Sequence, residues 1–446
     1  MVTRRKRRSA AVPEQPSGSL AIQMPPEKAE PASMGNVLMM VVPMLGSTGV
    51  MVFMAIQNSG GSNNTRSLLM GGGMLVAMLG MVGFNMYRQF SQYRTRVVTQ
   101  RREYLSYLAE TRDAVRKVAK KQRAYYNWVY PDPNALVTLA ANGSRLWSRE
   151  GGTYDLFAFR YGSGTQPLGL VFERPPIDPM TEMDVVCLSA MERFINVHDH
   201  TDNVGKFLFL GDFSHIELAG EGEAVYDEMR AIMMHLACFI DPSKLKIAVL
   251  CSADRLGEWE WVKWMPQARS SIVRDAVGPA RMISTDPAEL AEMIGTDIAM
   301  RGPFQYGDEI PAYPHLLLVC DGAEFPASSP FGSFSGIKGV TIMSRAREWT
   351  PMKSHTTLRL LIHPNPDHKG ADVVDVITMD SMPEQAFADR LSAVQAEAIA
   401  RRMTPFATQQ NLEEADTPVG RSDESRQKDL MELVGIGDIR DFDPEK

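Results

Sequence analysis

Two stretches of this 446-residue sequence stand in the order that phosphate chemistry needs. His215 to Leu218 reads as a strand leading into Ala219-Gly220-Glu221-Gly222-Glu223 and a helical pattern; further on, HLLLVC reads as a second apolar strand and ends in Asp321. A glycine loop at a helix N-terminus cradles phosphates with its backbone N–H groups, and an aspartate closing a neighbouring strand holds magnesium. Gly220, Gly222 and Asp321 are therefore the candidate cofactor-binding positions, as degenerate equivalents of a nucleotide site. The reagents of hydrolysis are missing. The chain contains no GxxxxGK[ST], so this loop has no lysine for the phosphates and no Ser or Thr for the metal. Glu221 and Glu223 put carboxylates where phosphate would sit, and Gly322 rather than a glutamate follows Asp321. No catalytic residue is expected.

Other reactive residue types have plainer readings. His198, Asp199, His200 and Asp202 form an HxH cluster in an expected loop without an assured third ligand, so no metal site is assigned. Trp259, Trp261 and Trp264 with Lys263 read as core or interface packing rather than as base-stacking platforms. Cys187, Cys238, Cys251 and Cys320 are scattered with no CxxC pair, which suggests small buried hydrophobes rather than a zinc site or disulfides. Gly162-Ser163-Gly164-Thr165 reads as a turn.

The elements that would carry these groups alternate between strand and helix, the mark of an α/β domain over 135–403 with a mainly parallel sheet. Strands are expected at Lys206–Leu210, Lys246–Cys251, His315–Cys320, Gly339–Ser344, Thr357–His363 and Val373–Thr378, helices at Glu223–Phe239, Pro287–Ile294 and Pro383–Arg402, and a β-rich lead-in at Thr153–Phe172. Residues 404–446, acidic and poor in aromatics, read as a linker with a short helix around Lys428–Val434.

Charge divides the chain. Residues 1–127 carry 18 Lys/Arg against 6 Asp/Glu, a net +12, which leaves about −19 for the rest given −7 overall. An acidic body gives no reason to expect nucleic-acid binding, whereas a basic segment beside apolar runs suits anionic lipid. Val37–Ile56 and Leu68–Tyr87 are uncharged runs of the length that crosses a bilayer, joined by the polar turn Gln57–Ser67. Arginines flank both runs, which predicts a multi-pass inner-membrane protein with both termini cytoplasmic. The expected layout is a basic N-terminus at 1–36, a transmembrane hairpin at 37–87, and a stalk helix at 88–130 ended by Pro131 and Pro133. Along the stalk Tyr87, Phe90, Val97, Tyr104, Leu108, Val115 and Val118 fall on a 3,4 spacing, an apolar stripe that wants a partner helix.

The layout and several stretches of sequence resemble EccC, the FtsK/SpoIIIE-type ATPase component of type VII (ESX) secretion systems. The likeness rests on the basic N-terminus, the two Met/Gly-rich runs, the stalk, the stretch from Gly220 through Arg230 to Leu236, WEWVKWMPQ at Trp259–Gln267, HLLLVCDG at His315–Gly322, and LMELVGIGD at Leu430–Asp438. It implies a membrane protein plus α/β: two transmembrane helices, a long stalk helix and a degenerate P-loop-ATPase-like parallel-sheet domain. It further implies a catalytically silent module and anchor of an ATP-driven protein-export motor, with ATP and magnesium bound by downstream ATPase domains. Expected partners are EccB, EccD and EccE type subunits, secreted protein substrates, membrane lipid and further copies in an oligomer. The competing readings are a segment of an FtsK-like DNA translocase and a ligand-sensing membrane protein.

Overall fold

The computed structural model describes residues 3–4, 12–30, 64–149 and 156–407, with breaks at 277, 307–313, 334, 347–349, 353 and 369, and scattered positions between 42 and 57. In chain order the elements used below are α1 Asn64–Val129, α2 Pro133–Asn142, β1 Ala158–Pro167, α3 Val185–His198, β2 His200–Phe209, β3 His215–Gly220, α4 Ala224–Phe239, β4 Leu245–Cys251, β5 Ile283–Ser284, α5 Pro287–Ile294, β6 His315–Asp321, β7 Val340–Arg345, β8 Thr357–Pro364, β9 Asp372–Ile377, β10 Glu384–Ala388 and α6 Ala393–Met403. They fall into two compact units, one of Met1–Val12, Val129–Gly164 and Gly205–Lys446, the other of Pro13–Trp128 and Thr165–Val204.

The first unit is built on a ten-stranded sheet in the order β5-β4-β6-β7-β3-β8-β9-β10-β1-β2. From β5 to β8 every pairing is parallel; β8-β9, β9-β10 and β10-β1 are antiparallel. The sheet is therefore mixed: the expected parallel part runs from β5 to β8, and an antiparallel part that was not expected continues it. Parallel strands buried on both faces read as unbroken apolar runs, and β6 shows why. Leu317 and Val319 pack with α4 in the larger core, while Leu316, Leu318 and Cys320 pack with Leu290, Met293 and Ile294 of α5 in a second core. Each fully buried leucine contributes roughly 1.5–3 kcal/mol.

Two local expectations are corrected. Pro383–Arg402 is not one helix: Glu384–Ala388 is strand β10, paired with β9 and β1. The helix begins only after Ser392, whose side chain accepts from the Gln395 N–H while Gln395 reaches back to the Ser392 backbone, a capping box. Gly162–Thr165 is not a turn but the middle of β1. A Cβ at Gly162 would stand 2.4 Å from the Phe387 carbonyl oxygen, so this glycine permits close strand pairing.

The membrane reading is also corrected. Among the described residues no helix is long and apolar enough to cross a membrane. The run Leu68–Tyr87 is uncharged but not uniformly apolar. Gly71, Gly72, Gly73, Gly80, Gly83 and Asn85 bring little hydrocarbon to it, and it belongs to a 66-residue α1 that continues into the arginine-rich stretch. Asn64–Ser67, expected in the turn, are already helical, while Val37–Ile56 lies outside the described residues apart from scattered positions. The two-span hairpin, the multi-pass inner-membrane placement and the lipid contact lose their support together.

In the second unit α1 supplies its own answer to the apolar stripe. Tyr104, Leu108 and Val115 are buried and Val118 half-buried against Cys187, Met191, Phe194 and Ile195 of α3 and Ile22 and Leu168. Polar contacts fix the register. Arg101 makes two charge-assisted bonds to Asp184 Oδ2, at 2.9 and 2.8 Å, and Asp184 also caps α3. Gln122, 1% exposed, donates to the Pro167 carbonyl and accepts from Gly169 N–H and the Thr201 hydroxyl. The stripe's upper end differs: Val97 is half-buried, and Phe90 and Tyr87 are 57% and 71% exposed.

Leu108→Asp should therefore destabilise this unit, since it puts an unpaired charge among aliphatic and aromatic side chains. Thermal unfolding should show a melting temperature lowered by more than about 5 °C, as a change of 1 kcal/mol already moves Tm by roughly 2–8 °C; an unchanged Tm would contradict this packing.

Two buried histidines predict acid sensitivity of the first unit. Burial holds His235 well below the ordinary 6.5, with Arg149 and Arg160 adding to it, and takes His315 down to about 3. The unfolded chain thus binds the proton first. Stability is complete above about pH 6.5 and is lost as the pH falls from there, for His315 down to about 3, by up to ~1.4 kcal/mol per pH unit for each ring. Urea midpoints should drop between about pH 7 and 5, and His315→Gln should reduce the slope.

Candidate functional site

The parallel strands β4, β6, β7, β3 and β8 bring their carboxyl ends to one edge of the sheet, the side on which ligands settle in such folds. The three candidate positions reach that edge. Gly220 ends β3, Gly222 lies in the turn into α4, and Asp321 ends β6, one strand removed from β3. Gly220 has a φ of +147°, and a Cβ there would lie 2.4 Å from the Ile362 carbonyl oxygen, so glycine is needed for backbone reasons alone. Gly222, at φ +71°, turns the chain in the left-handed region.

The chain's own side chains fill the edge. Asp321 is 2% exposed and accepts from the Tyr226 hydroxyl at 3.2 Å and from Trp259 Nε1 at 3.0 Å, both on Oδ2. Tyr226 stands in the first turn of α4, and Trp259 ends the short helix Leu256–Trp259 that follows β4. The Tyr226 hydroxyl accepts in turn from Arg345 at 2.9 Å, at the end of β7. Guanidiniums of Arg345 and Arg255 lie over its ring at 4.9 and 5.9 Å. Burial, followed by the charge of Asp321, raises the Tyr226 pKa, so its hydroxyl stays a donor.

Arg230, the next turn along α4, is 1% exposed and held by three carboxylates. Its Nη2 meets Glu223 at 2.6 Å and Glu258 at 3.2 Å, and its Nη1 meets Asp227 at 3.0 Å. Glu223 makes no cap to the start of α4 and points at this arginine instead. Burial raises the Asp227 pKa, with Arg230 opposing the shift.

A magnesium nucleotide does not fit this arrangement. Magnesium needs carboxylate oxygen facing a hydrated ion, and Asp321 is buried and committed to a phenol and an indole. The helix N-terminus that would receive phosphate begins behind Glu221 and Glu223, and the loop offers no lysine. The geometry is suited to rigid cohesion of the edge.

Elsewhere, the HxH cluster does not converge. His198 packs its ring on Phe194 at 4.9 Å, and burial followed by Arg112 and Arg116 lowers its pKa. His200 Nδ1 pairs with Asp199 at 2.5 Å. Among the described residues no group of three or more His, Cys, Asp or Glu is placed to hold a metal ion. All four cysteines are buried and free. Sequence reading missed Tyr226, Arg230 and Arg345 as members of the edge. A visible signal was an arginine inside the otherwise apolar stretch Met229–Met234; for Trp259 it was the polar N–H that a buried indole must satisfy.

Asp321→Ala should destabilise the first unit by about 1–3 kcal/mol, because Trp259 Nε1 is left buried without an acceptor. Equilibrium urea unfolding checks this: an aspartate kept for metal binding would leave stability unchanged or higher when removed.

Comparison with known proteins finds relatives along most of the chain. No family model matches the chain. It is 32% identical over 416 residues, 92% of its length, to the ESX secretion system protein EccC of Thermomonospora curvata, of which it spans 30%. It is 29% identical over 76% of its length to the ESX-3 secretion system protein EccC3 of Mycobacterium tuberculosis, spanning 25% of that protein. The ESX-1 secretion system protein EccCa1 of the same species is 26% identical over 78% of the chain, which spans 44% of it. A solved structure of the cytoplasmic domain of the Thermomonospora curvata type VII secretion ATPase EccC overlaps 43% of the chain at a TM-score of 0.27 and 13% identity, too distant to assign a fold. The chain is a homologue of the EccC proteins of ESX secretion systems and spans less than half the length of the relatives it matches.

Proposed function

We propose that this chain is a non-hydrolysing ATPase-like module and helical arm of a type VII secretion ATPase. The single observation that supports this reading is Asp321, the residue equivalent to a magnesium ligand, engaged instead by Tyr226 and Trp259. Gly220, Gly222 and Asp321 are then the relics of a nucleotide site, kept because the strand-to-helix turn and the sheet edge still need them. ATP and magnesium are bound by other domains of the longer protein, which act on secreted protein substrates. The module serves that motor within a complex with EccB, EccD and EccE type subunits, and Tyr87 and Phe90, the exposed upper end of the stripe, are its contacts with a neighbouring helix.

The test is turnover by the purified chain. Magnesium-dependent ATP hydrolysis should not exceed that of a heat-denatured control, and the Asp321→Ala chain should give the same background. Hydrolysis abolished by Asp321→Ala would overturn the proposal. Salt-sensitive binding of duplex DNA would favour the translocase reading instead, since phosphate contacts weaken steeply with salt.

A further inference from the structure

The opposite face of the same sheet holds a cavity of about 220 Å³ that the nucleotide-like edge does not use. Period-two alternation separates the two: Asp321 turns towards α4, and Cys320 towards this cavity. The floor is apolar. Phe325 and Phe331 are buried, with their rings 5.2 Å apart, and Ile342 of β7 completes it.

Among the described residues the polar wall carries two carboxylates, one of them paired with a guanidinium from outside the lining. Glu217 of β3 receives both Nε and Nη2 of Arg359 on a single oxygen, Oε2, at 2.9 and 2.6 Å. This anchors the carboxylate and leaves Oε1 for an occupant. Glu324 is exposed and adds a second carboxylate at the wall. His215 is kept neutral by burial and so contributes no opposing charge, and no Lys or Arg lines the cavity among the described residues. Hydroxyls of Ser344 and Thr357 supply further acceptors.

An anchored carboxylate oxygen, a second carboxylate and an aromatic floor are complementary to a planar cation. Guanidinium meets carboxylates with a fork of N–H donors and lies over aromatic rings, whereas ammonium is a strongly hydrated point charge. We propose that this cavity binds a guanidinium group carried on a short hydrocarbon stem. The chemistry is shared by a free arginine-like molecule and by an arginine side chain of a peptide.

Titration calorimetry of the whole chain tests it with agmatine as the free form and N-acetyl-arginine-amide as the peptide-borne form, against N-acetyl-norleucine-amide as a neutral control. Both cations should bind saturably, and the tighter of the two identifies the source. Glu324→Gln, at an exposed position, should weaken binding about tenfold, the size of one charge-assisted hydrogen bond. Ile342→Trp, which fills the cavity, should abolish binding. Tm values matching the parent show that either variant is folded, and Glu324→Gln keeps the test valid if Ile342→Trp is not. Absence of saturable binding by both cations, equal binding of the neutral amide, or full affinity in folded Glu324→Gln would each overturn the proposal.

Discussion

Helix α4 is buried on nearly every side while carrying Glu228 and Arg230, and accommodating those two groups dictates much of what surrounds it. An ion inside a protein must be paired or neutralised. Arg230 is paired, drawing Glu223, Asp227 and Glu258 inwards from the glycine loop, the helix itself and the segment after β4. Glu228 is neutralised: burial, together with nearby Asp389, pushes its carboxyl well above the usual range. Its Oε2 takes the Asp389 N–H at 2.8 Å, and Asp389 is clasped through both oxygens by Arg160 of β1. Sheet strands distant in sequence are thus bound to one helix by a few charged groups.

The same helix explains how the chain's own side chains hold the nucleotide-like layout together. In a phosphate-binding site the loop and the helix start face an anion, and their N–H groups need it. Here Tyr226 in the first turn reaches across to Asp321, Arg345 supports Tyr226, and Trp259 closes the remaining side. The cohesion that a bound ligand would supply comes from within the chain. Glycine at position 220 is still required, because the backbone of β8 is too close for any side chain.

Local patterns made much of this readable in advance. Strands β4, β6, β7, β8 and β9 and helix α5 were legible as apolar runs bounded by turn residues, since burial on both faces leaves few polar interruptions. What could not be read was longer in range. Glu384–Ala388 has helix-forming residues and becomes a strand only because β9 and β1 offer paired edges. Gly162–Thr165 looked like a turn because the reason for its glycine, the Phe387 carbonyl, lies 225 residues away in the chain. Asp321 was found by its place at a strand end, but its partners sit on two other elements, and only their convergence shows that it is occupied.

The stripe on α1 shows the same limit from the other side. A row of apolar residues at helical spacing says that something covers it, but not what. Tyr104, Leu108, Val115 and Val118 are covered by α3 and by Ile22 and Leu168 in the same chain, and this removes much of the need for a second subunit along that length. The argument for an outside partner contracts to Tyr87 and Phe90, where exposure persists. Counting uncharged residues misled in a similar way, because glycine and asparagine interrupt apolar surface without introducing charge. In both cases the quantity that decides is hydrocarbon actually placed against hydrocarbon, which periodicity and charge counts only approximate.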